Sequence, residues 1–170
     1  ARERIERLPW VKTASINRVF PGALKIHITE RKPAALWIKG DREYLIDVTG
    51  RVLSAVTPGS QTQLPRIAGD GAAAEARDLF DLILRYPRIK KRFELAERVG
   101  GRRWTLRLSD GVTVHFGSDR EANAFAALSS DADLGALLLG RDIIIDLRTP
   151  GRITVRRDNE AAAAAALSPT

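Results

Sequence analysis

The sequence predicts an α+β fold in which antiparallel strands dominate. Short runs that alternate apolar and polar residues recur along most of the chain, separated by glycine-containing turns, and this pattern is typical of antiparallel sheets. Residues 72–86 are the clearest segment with helical spacing, because Leu79, Leu82, Ile83 and Tyr86 fall on one apolar stripe.

Residues 1–32 predict the end of a helix followed by a hairpin. Arg2 to Leu8 is the helical part, and it ends at Pro9 because proline cannot continue a helix. Strand-like runs at residues 13–19 and 24–31 flank a proline–glycine turn. We expect the hairpin to be antiparallel and to lean on the helix.

The rest of the chain predicts three strands, the helix, three more strands, further helices and two final strands. The strands are expected at residues 34–38, 44–48, 51–54, 94–99, 103–108, 112–116, 143–147 and 153–156, with an extended segment at 64–67. Ser118 and Glu121 have capping-box spacing before those further helices. We expect three parts, residues 1–32, 33–157 and 158–170, the last being a disordered alanine-rich tail.

The residue types for catalysis are scarce. The chain has no Cys and two His, far apart in sequence, and no phosphate-binding or nucleophile-elbow motif. The sequence therefore predicts a binding protein rather than an enzyme, with no metal and no cofactor. It also lacks Met, so we expect it to be a fragment of a longer protein.

The charge indicates an acidic partner, an anionic membrane surface or nucleic acid. The net charge is +7, and residues 84–107 carry nine Lys or Arg against two Glu. Trp104 lies within this stretch, where it could stack on a base. The alternation of Trp104, Leu106 and Leu108 instead favours an inward-facing strand, so nucleic-acid binding is the weaker interpretation.

Several segments in fixed order resemble the FtsQ/DivIB family of bacterial cell-division proteins. They are LPWVK at residues 8–12, ASINRVFP at 14–21, LKI at 24–26, TERKPAALW at 29–37, YLIDVTGRVL at 44–53, WTL at 104–106, VHFG at 114–117 and DLR at 146–148. The resemblance implies the C-terminal part of a POTRA (polypeptide-transport-associated) domain in residues 1–32, followed by the family's β-domain. POTRA-like repeats also occur in outer-membrane assembly proteins, which is the alternative.

The resemblance further implies a non-catalytic scaffold of the division complex. Such proteins are anchored in the inner membrane by one helix, which this sequence lacks, and their periplasmic part binds FtsB and FtsL at the septum to help control cell-wall synthesis. The last strand of the family's β-domain is the edge that receives FtsB by strand addition. The matching residues here are Ile153, Thr154, Val155, Arg156 and Arg157, and we expect Arg102 and Arg156 to pair with acidic side chains of the partner.

Overall fold

The computed structural model describes residues 1–57, 63–118 and 140–158. Glu121 of the predicted capping box, the helices that follow it and all of the tail beyond Asp158 lie outside these ranges. Within them the fold is α+β, as predicted, with two separate sheets. No helix in the described ranges is long and apolar enough to cross a membrane.

The N-terminal unit, residues 1–31, is a short helix and a hairpin. Helix α1 (Arg2–Glu6) is followed by strands β1 (Val11–Val19) and β2 (Ala23–Glu30), which pair antiparallel. The predicted contact with the helix is present, because the backbone N–H of Ala14 donates to Glu6 Oε1 at 3.0 Å. Every residue of β2 is exposed.

The second sheet has nine strands. Its strands are β3 (Ala35–Lys39), β4 (Arg42–Ile46), β5 (Val52–Val56), β6 (Arg66–Gly69), β7 (Phe93–Val99), β8 (Arg103–Leu108), β9 (Thr113–Phe116), β10 (Ile143–Leu147) and β11 (Thr154–Arg157). They lie in the order β11-β10-β9-β8-β7-β6-β3-β4-β5. Five neighbouring pairs are antiparallel and three are parallel, so antiparallel pairing dominates as expected.

Strand β6 lies near the middle of this sheet, where the sequence predicts only an extended approach. It is parallel to β3 on one side and to β7 on the other. Its connection to β7 passes through helices α2 (Ala76–Leu84) and α3 (Pro87–Lys90). The predicted single helix over residues 72–86 is therefore too long: turns occupy residues 70–75, and proline starts a separate helix at Pro87.

Helix α2 buries its apolar stripe against one face of the nine-stranded sheet. Leu79 and Ile83 are buried from the helix side, and Leu106, Val114 and Ile145 from the sheet side, all in one cluster. Removing this much apolar surface from water is the main stabilising contribution to such a fold. The predicted inward position of Trp104 is correct, since its exposure is 4%.

Candidate functional site

Strand β11 forms one edge of the nine-stranded sheet. It pairs antiparallel with β10, and no other described strand pairs with it. All four of its residues are exposed. The predicted docking residues Ile153 to Arg157 thus lie together along an open edge, whose backbone can accept a further strand.

Strand β10 anchors this edge in the core. It lies between β9, to which it is parallel, and β11. Ile145 is fully buried, which agrees with the prediction that residues 143–147 form a buried strand. Because β10 is held on both sides and by the core, the position of β11 is set by a rigid neighbour.

The register shows which backbone groups of β11 face outward. The backbone N–H of Asp158 donates to the carbonyl oxygen of Asp142 at 2.7 Å, and the register continues through Ile144–Arg156 and Asp146–Thr154. Hydrogen-bonded pairs alternate along an antiparallel ladder. Thr154 and Arg156 therefore bond to β10, and the N–H and C=O groups of Val155 and Arg157 point to the open side.

The side chains of β11 alternate between the two faces of the sheet. Val155 is directly opposite Ile145, so it lies on the core face, where it is 40% exposed. Thr154 and Arg156 lie on the opposite face. There the register places Arg156, Ile144, Thr113 and Arg107 in one row across four strands.

Exposed arginines stand at both ends of that row, which the sequence alone does not reveal. Arg156 and Arg107 are exposed, Ile144 is half-buried, and Thr113 is buried. Two guanidinium groups with the half-buried Ile144 between them suit an acidic partner that also contributes an apolar contact. Arg107 lies on β8, three strands in from β11, so it is a candidate contact only for a partner that also extends over this face of the sheet. Sequence reasoning missed it, because only strand register brings it onto the row of Arg156.

Arg102 is not brought to this edge. It is exposed in the turn before β8, three strands in from β11. At about 4.8 Å per strand, this is roughly 14 Å across the sheet. A segment paired with β11 would lie one strand further out, so Arg102 can contact only a partner that also extends over the face or end of the sheet.

An ion pair between Asp146 and Arg148 lies at the C-terminal end of β10, beside β11. Arg148 donates to Asp146 through its backbone N–H at 3.0 Å, through Nε at 2.9 Å, and through Nη2 at 2.6 Å. These bonds lower the pKa of Asp146 from 3.8 to about 2, because they favour the ionised carboxylate. The opposite charges of Asp146 and Arg148 cancel, so the pair adds no net charge to the edge at neutral pH.

His115 lies next to this pair on the same face of the sheet. Its Nδ1 is 3.0 Å from Thr105 Oγ1. Burial lowers the pKa of His115, and the positive charge of Arg148 lowers it further, so the ring is neutral at neutral pH. Among the described residues no group of three His, Cys, Asp or Glu side chains has metal-site geometry.

Trp104 cannot serve as a stacking platform. It is buried on the core face, and the Arg98 guanidinium carbon lies 5.5 Å from its ring centre. The basic stretch around it therefore lacks the exposed aromatic that single-stranded nucleic-acid binding uses.

Comparison with known proteins decides the family. The family model "Cell division protein FtsQ/DivIB, C-terminal" matches residues 35–148, and the model "POTRA domain, FtsQ-type" matches residues 1–31. The chain belongs to the FtsQ/DivIB family of cell division proteins. The expected resemblance is thereby confirmed.

Curated relatives named "Cell division protein FtsQ" agree. The protein from Bradyrhizobium diazoefficiens is 37% identical over 96% of this chain and 48% of the relative. That from Rhizobium meliloti is 35% identical over 95% of this chain and 52% of the relative. That from Caulobacter vibrioides (strain NA1000 / CB15N) is 33% identical over 91% of this chain and 51% of the relative. The chain thus spans about half the length of these relatives.

Proposed function

We propose that this FtsQ-family chain is the partner-binding periplasmic part of a non-catalytic scaffold of the division complex. In this proposal, a membrane helix elsewhere in the protein anchors it in the inner membrane. Strand β11 receives a segment of FtsB, FtsL binds with it, and the assembly helps to control septal cell-wall synthesis. The function requires no cofactor.

The observation that carries the proposal is the open backbone of β11. Strand addition needs a regular edge with outward N–H and C=O groups, and the register gives Val155 and Arg157 that orientation. Main-chain pairing supplies affinity with little demand on partner sequence. Alternate side chains of the added strand would then meet the two faces of the sheet, which supplies selectivity.

The charge of the edge favours an acidic partner segment. Arg156 and Arg157 are two of the four residues of β11, and Arg152 precedes them. These cations would speed association with a negatively charged strand and would repel a basic one. The buried position of Trp104 weighs against the nucleic-acid alternative.

Calorimetry combined with amide hydrogen exchange tests the proposal. The 170-residue chain is titrated with the periplasmic segment of FtsB, with and without FtsL, at two salt concentrations. We expect saturable binding, with new protection at the outward amides of Val155 and Arg157. The amides of Thr154 and Arg156 already bond to β10 and should change less.

Two results would contradict the proposal. Saturable binding without added protection at Val155 and Arg157 would place the partner elsewhere on the chain. Failure of a well-folded chain to bind the FtsB segment, alone and together with FtsL, would reject β11 as a sufficient docking site.

A further inference from the structure

The two family matches meet at residues 31–35, and side chains on both sides of this junction contact each other. The N-terminal unit ends with β2, and the nine-stranded sheet begins with β3 only a few residues later. A short linker by itself leaves two units free to change their relative orientation. Hydrogen bonds of Arg31 and Arg51 across the junction restrict that freedom.

Arg31 connects the hairpin to the turn between β4 and β5. Its Nη1 donates to Asp47 Oδ2 at 2.7 Å, while its Nε donates to the carbonyl oxygen of Val11 at 3.1 Å. The side chains of Arg31 and Asp47 are only 16% and 5% exposed. Losing one member of such a buried pair leaves the other charge unsatisfied, which is far more costly than losing a surface pair.

Asp47 uses its second oxygen to organise its own turn. Oδ1 accepts the backbone N–H of Thr49 at 2.8 Å, the Thr49 hydroxyl at 2.6 Å and the backbone N–H of Arg51 at 3.1 Å. Burial would raise the pKa of Asp47, but these bonds and the one from Arg31 lower it overall, so the group is ionised. The two oxygens therefore serve different contacts, Oδ2 across the junction and Oδ1 within the turn.

The same turn also reaches the helix of the N-terminal unit. Arg51 Nη2 donates to the carbonyl oxygens of Arg7 at 2.9 Å and Leu8 at 3.3 Å, just beyond the end of α1. Carbonyl groups at a helix C-terminus lack partners within the helix and carry partial negative charge, so a guanidinium group suits them. Arg51 thus contacts α1, while Asp47 contacts the hairpin.

The turn itself is held from the other side. Gly50 has a φ of +78°, and a Cβ atom there would lie 1.8 Å from the carbonyl oxygen of Ala73. Only glycine fits this position. The turn is therefore in close contact with the residues that precede α2.

We propose that Asp47 and Arg51 form a clamp, with Arg31 as its counterpart, that holds the N-terminal unit and the nine-stranded sheet as one rigid body. The clamp fixes the direction in which β11 points relative to the N-terminal unit. It does not depend on the identity of the partner that binds at β11.

The variant Asp47→Asn breaks the clamp selectively. The amide oxygen can still accept the bonds from Thr49 and Arg51, but an NH2 group now faces Arg31. The matched control is Thr49→Val, which removes one bond inside the turn and keeps the Arg31–Asp47 pair. In a second clamp variant, Arg51→Gln, the side chain is too short to reach the carbonyl groups of Arg7 and Leu8. The bond from the backbone N–H of residue 51 to Asp47 is kept.

Limited trypsin digestion reads out the opening of the junction. Trypsin cuts after Arg31, whose side chain is shielded while the clamp is closed, and Lys32 is protected by the following Pro33. We expect Asp47→Asn and Arg51→Gln to raise cleavage after Arg31 by about tenfold or more. Cleavage after the exposed Arg102 serves as an internal reference and should not change.

A distance measurement gives an independent test. The chain has no Cys, so cysteines introduced at Asn17 in β1 and Arg107 in β8, both exposed, are the only labelling sites. Between two spin labels at these sites we expect one narrow distance distribution in the parent chain and in Thr49→Val, and a broad one in Asp47→Asn. Unchanged cleavage and an unchanged distribution in Asp47→Asn would overturn the clamp. Equal effects of Thr49→Val and Asp47→Asn would also overturn it, because Asp47 would then act only within its turn.

Discussion

In the part of the chain that the structure describes, β11 and β5 are the two edge strands of the nine-stranded sheet, and they are built differently. At one edge, β11 pairs with β10 in an unbroken register and carries two arginines. At the other, β5 pairs with β4 through a register shift between Leu45 and Ile46 and carries no charge. Bulges and charges are both devices that prevent unwanted pairing at an edge.

The two devices have different consequences for partner choice. Ile46 pairs with Val52 and Leu45 pairs with Ser54, so Leu53 is an extra residue in β5. The side chain of Leu53 is buried. A bulge twists the strand and disrupts the row of groups that an added strand would need. The arginines of β11 leave the backbone row intact and exclude only basic strands. The comparison therefore predicts a selective edge at β11 and a blocked edge at β5.

Matched proline substitutions give the largest expected contrast. In Val155→Pro the lost N–H points to the open side, so the hydrogen bonds between β11 and β10 are kept. A strand added at this edge would lose one hydrogen bond and would clash with the proline ring. We expect affinity for the FtsB segment to fall roughly 100-fold, corresponding to about 3 kcal/mol. Calorimetry measures the affinity, and thermal unfolding confirms that the fold is retained.

The control for this substitution lies on the opposite edge. The backbone N–H of Asp47 donates to the carbonyl oxygen of Arg51. Counting alternate residues of β4 from that bond, through the register shift, makes Glu43 and its partner Val56 a bonded pair, so the N–H of Ala55 is on the open side. Ala55→Pro should leave affinity unchanged. Equal loss in both variants would show that the edges are not distinct, and normal binding by Val155→Pro would exclude strand addition at β11.

Charge reversal should separate the edge from the rest of the basic surface. Arg156→Glu replaces a cation on β11 itself, and we expect association with the FtsB segment to slow about tenfold at low salt, with a weaker salt dependence. Arg102→Glu changes a residue three strands away and should slow association less than about twofold. Stopped-flow or surface-binding kinetics at two salt concentrations measure both. A larger effect of Arg102 would mean that the partner covers the face or end of the sheet.

The sequence predicts much of this sheet, because most of its strands belong to hairpins between segments that are close in sequence. Alternation and glycine turns identify β7, β8 and β9, and the buried run of β10, without any tertiary information. Strand β6 escapes detection because its four residues contain one large apolar side chain, and its place depends on β3 and β7, which are distant in sequence. Parallel pairing of this kind leaves little local signal.

For the candidate site, too, the sequence predicts one part and the strand register supplies the rest. The composition of residues 153–157 indicates a strand, and the family resemblance suggests its role, but only the register shows which amides of β11 face outward. The row from Arg107 to Arg156 and the distance of Arg102 from the edge are likewise properties of strand order. Arg102 and Arg107 are equally far from β11 in strand order, since both belong to β8 or the turn before it. They differ only in register, which aligns Arg107 with Arg156.

The smallest expected effect concerns the carboxylates beside the two edges. Asp146, next to β11, is partly exposed and pairs with Arg148 on its own strand end, whereas Asp47, next to β5, is buried and pairs across the junction. An exposed pair contributes less than about 1 kcal/mol to stability. We therefore expect Asp146→Asn to lower the unfolding temperature at pH 5 only slightly, and less than Asp47→Asn does.

The pH dependence of that small effect has a definite sign. The folded pKa of Asp146 is about 2, below its ordinary value of 3.8, so the stabilising contribution is complete above pH 3.8 and is lost as the pH falls toward 2. The difference in unfolding temperature between the parent chain and Asp146→Asn should therefore shrink from pH 5 to pH 2. Other carboxylates titrate equally in both proteins and cancel from the difference. A constant difference over this range would show that the Asp146–Arg148 pair does not stabilise the end of β10 in solution, and β11 would then depend on its ladder to β10 alone.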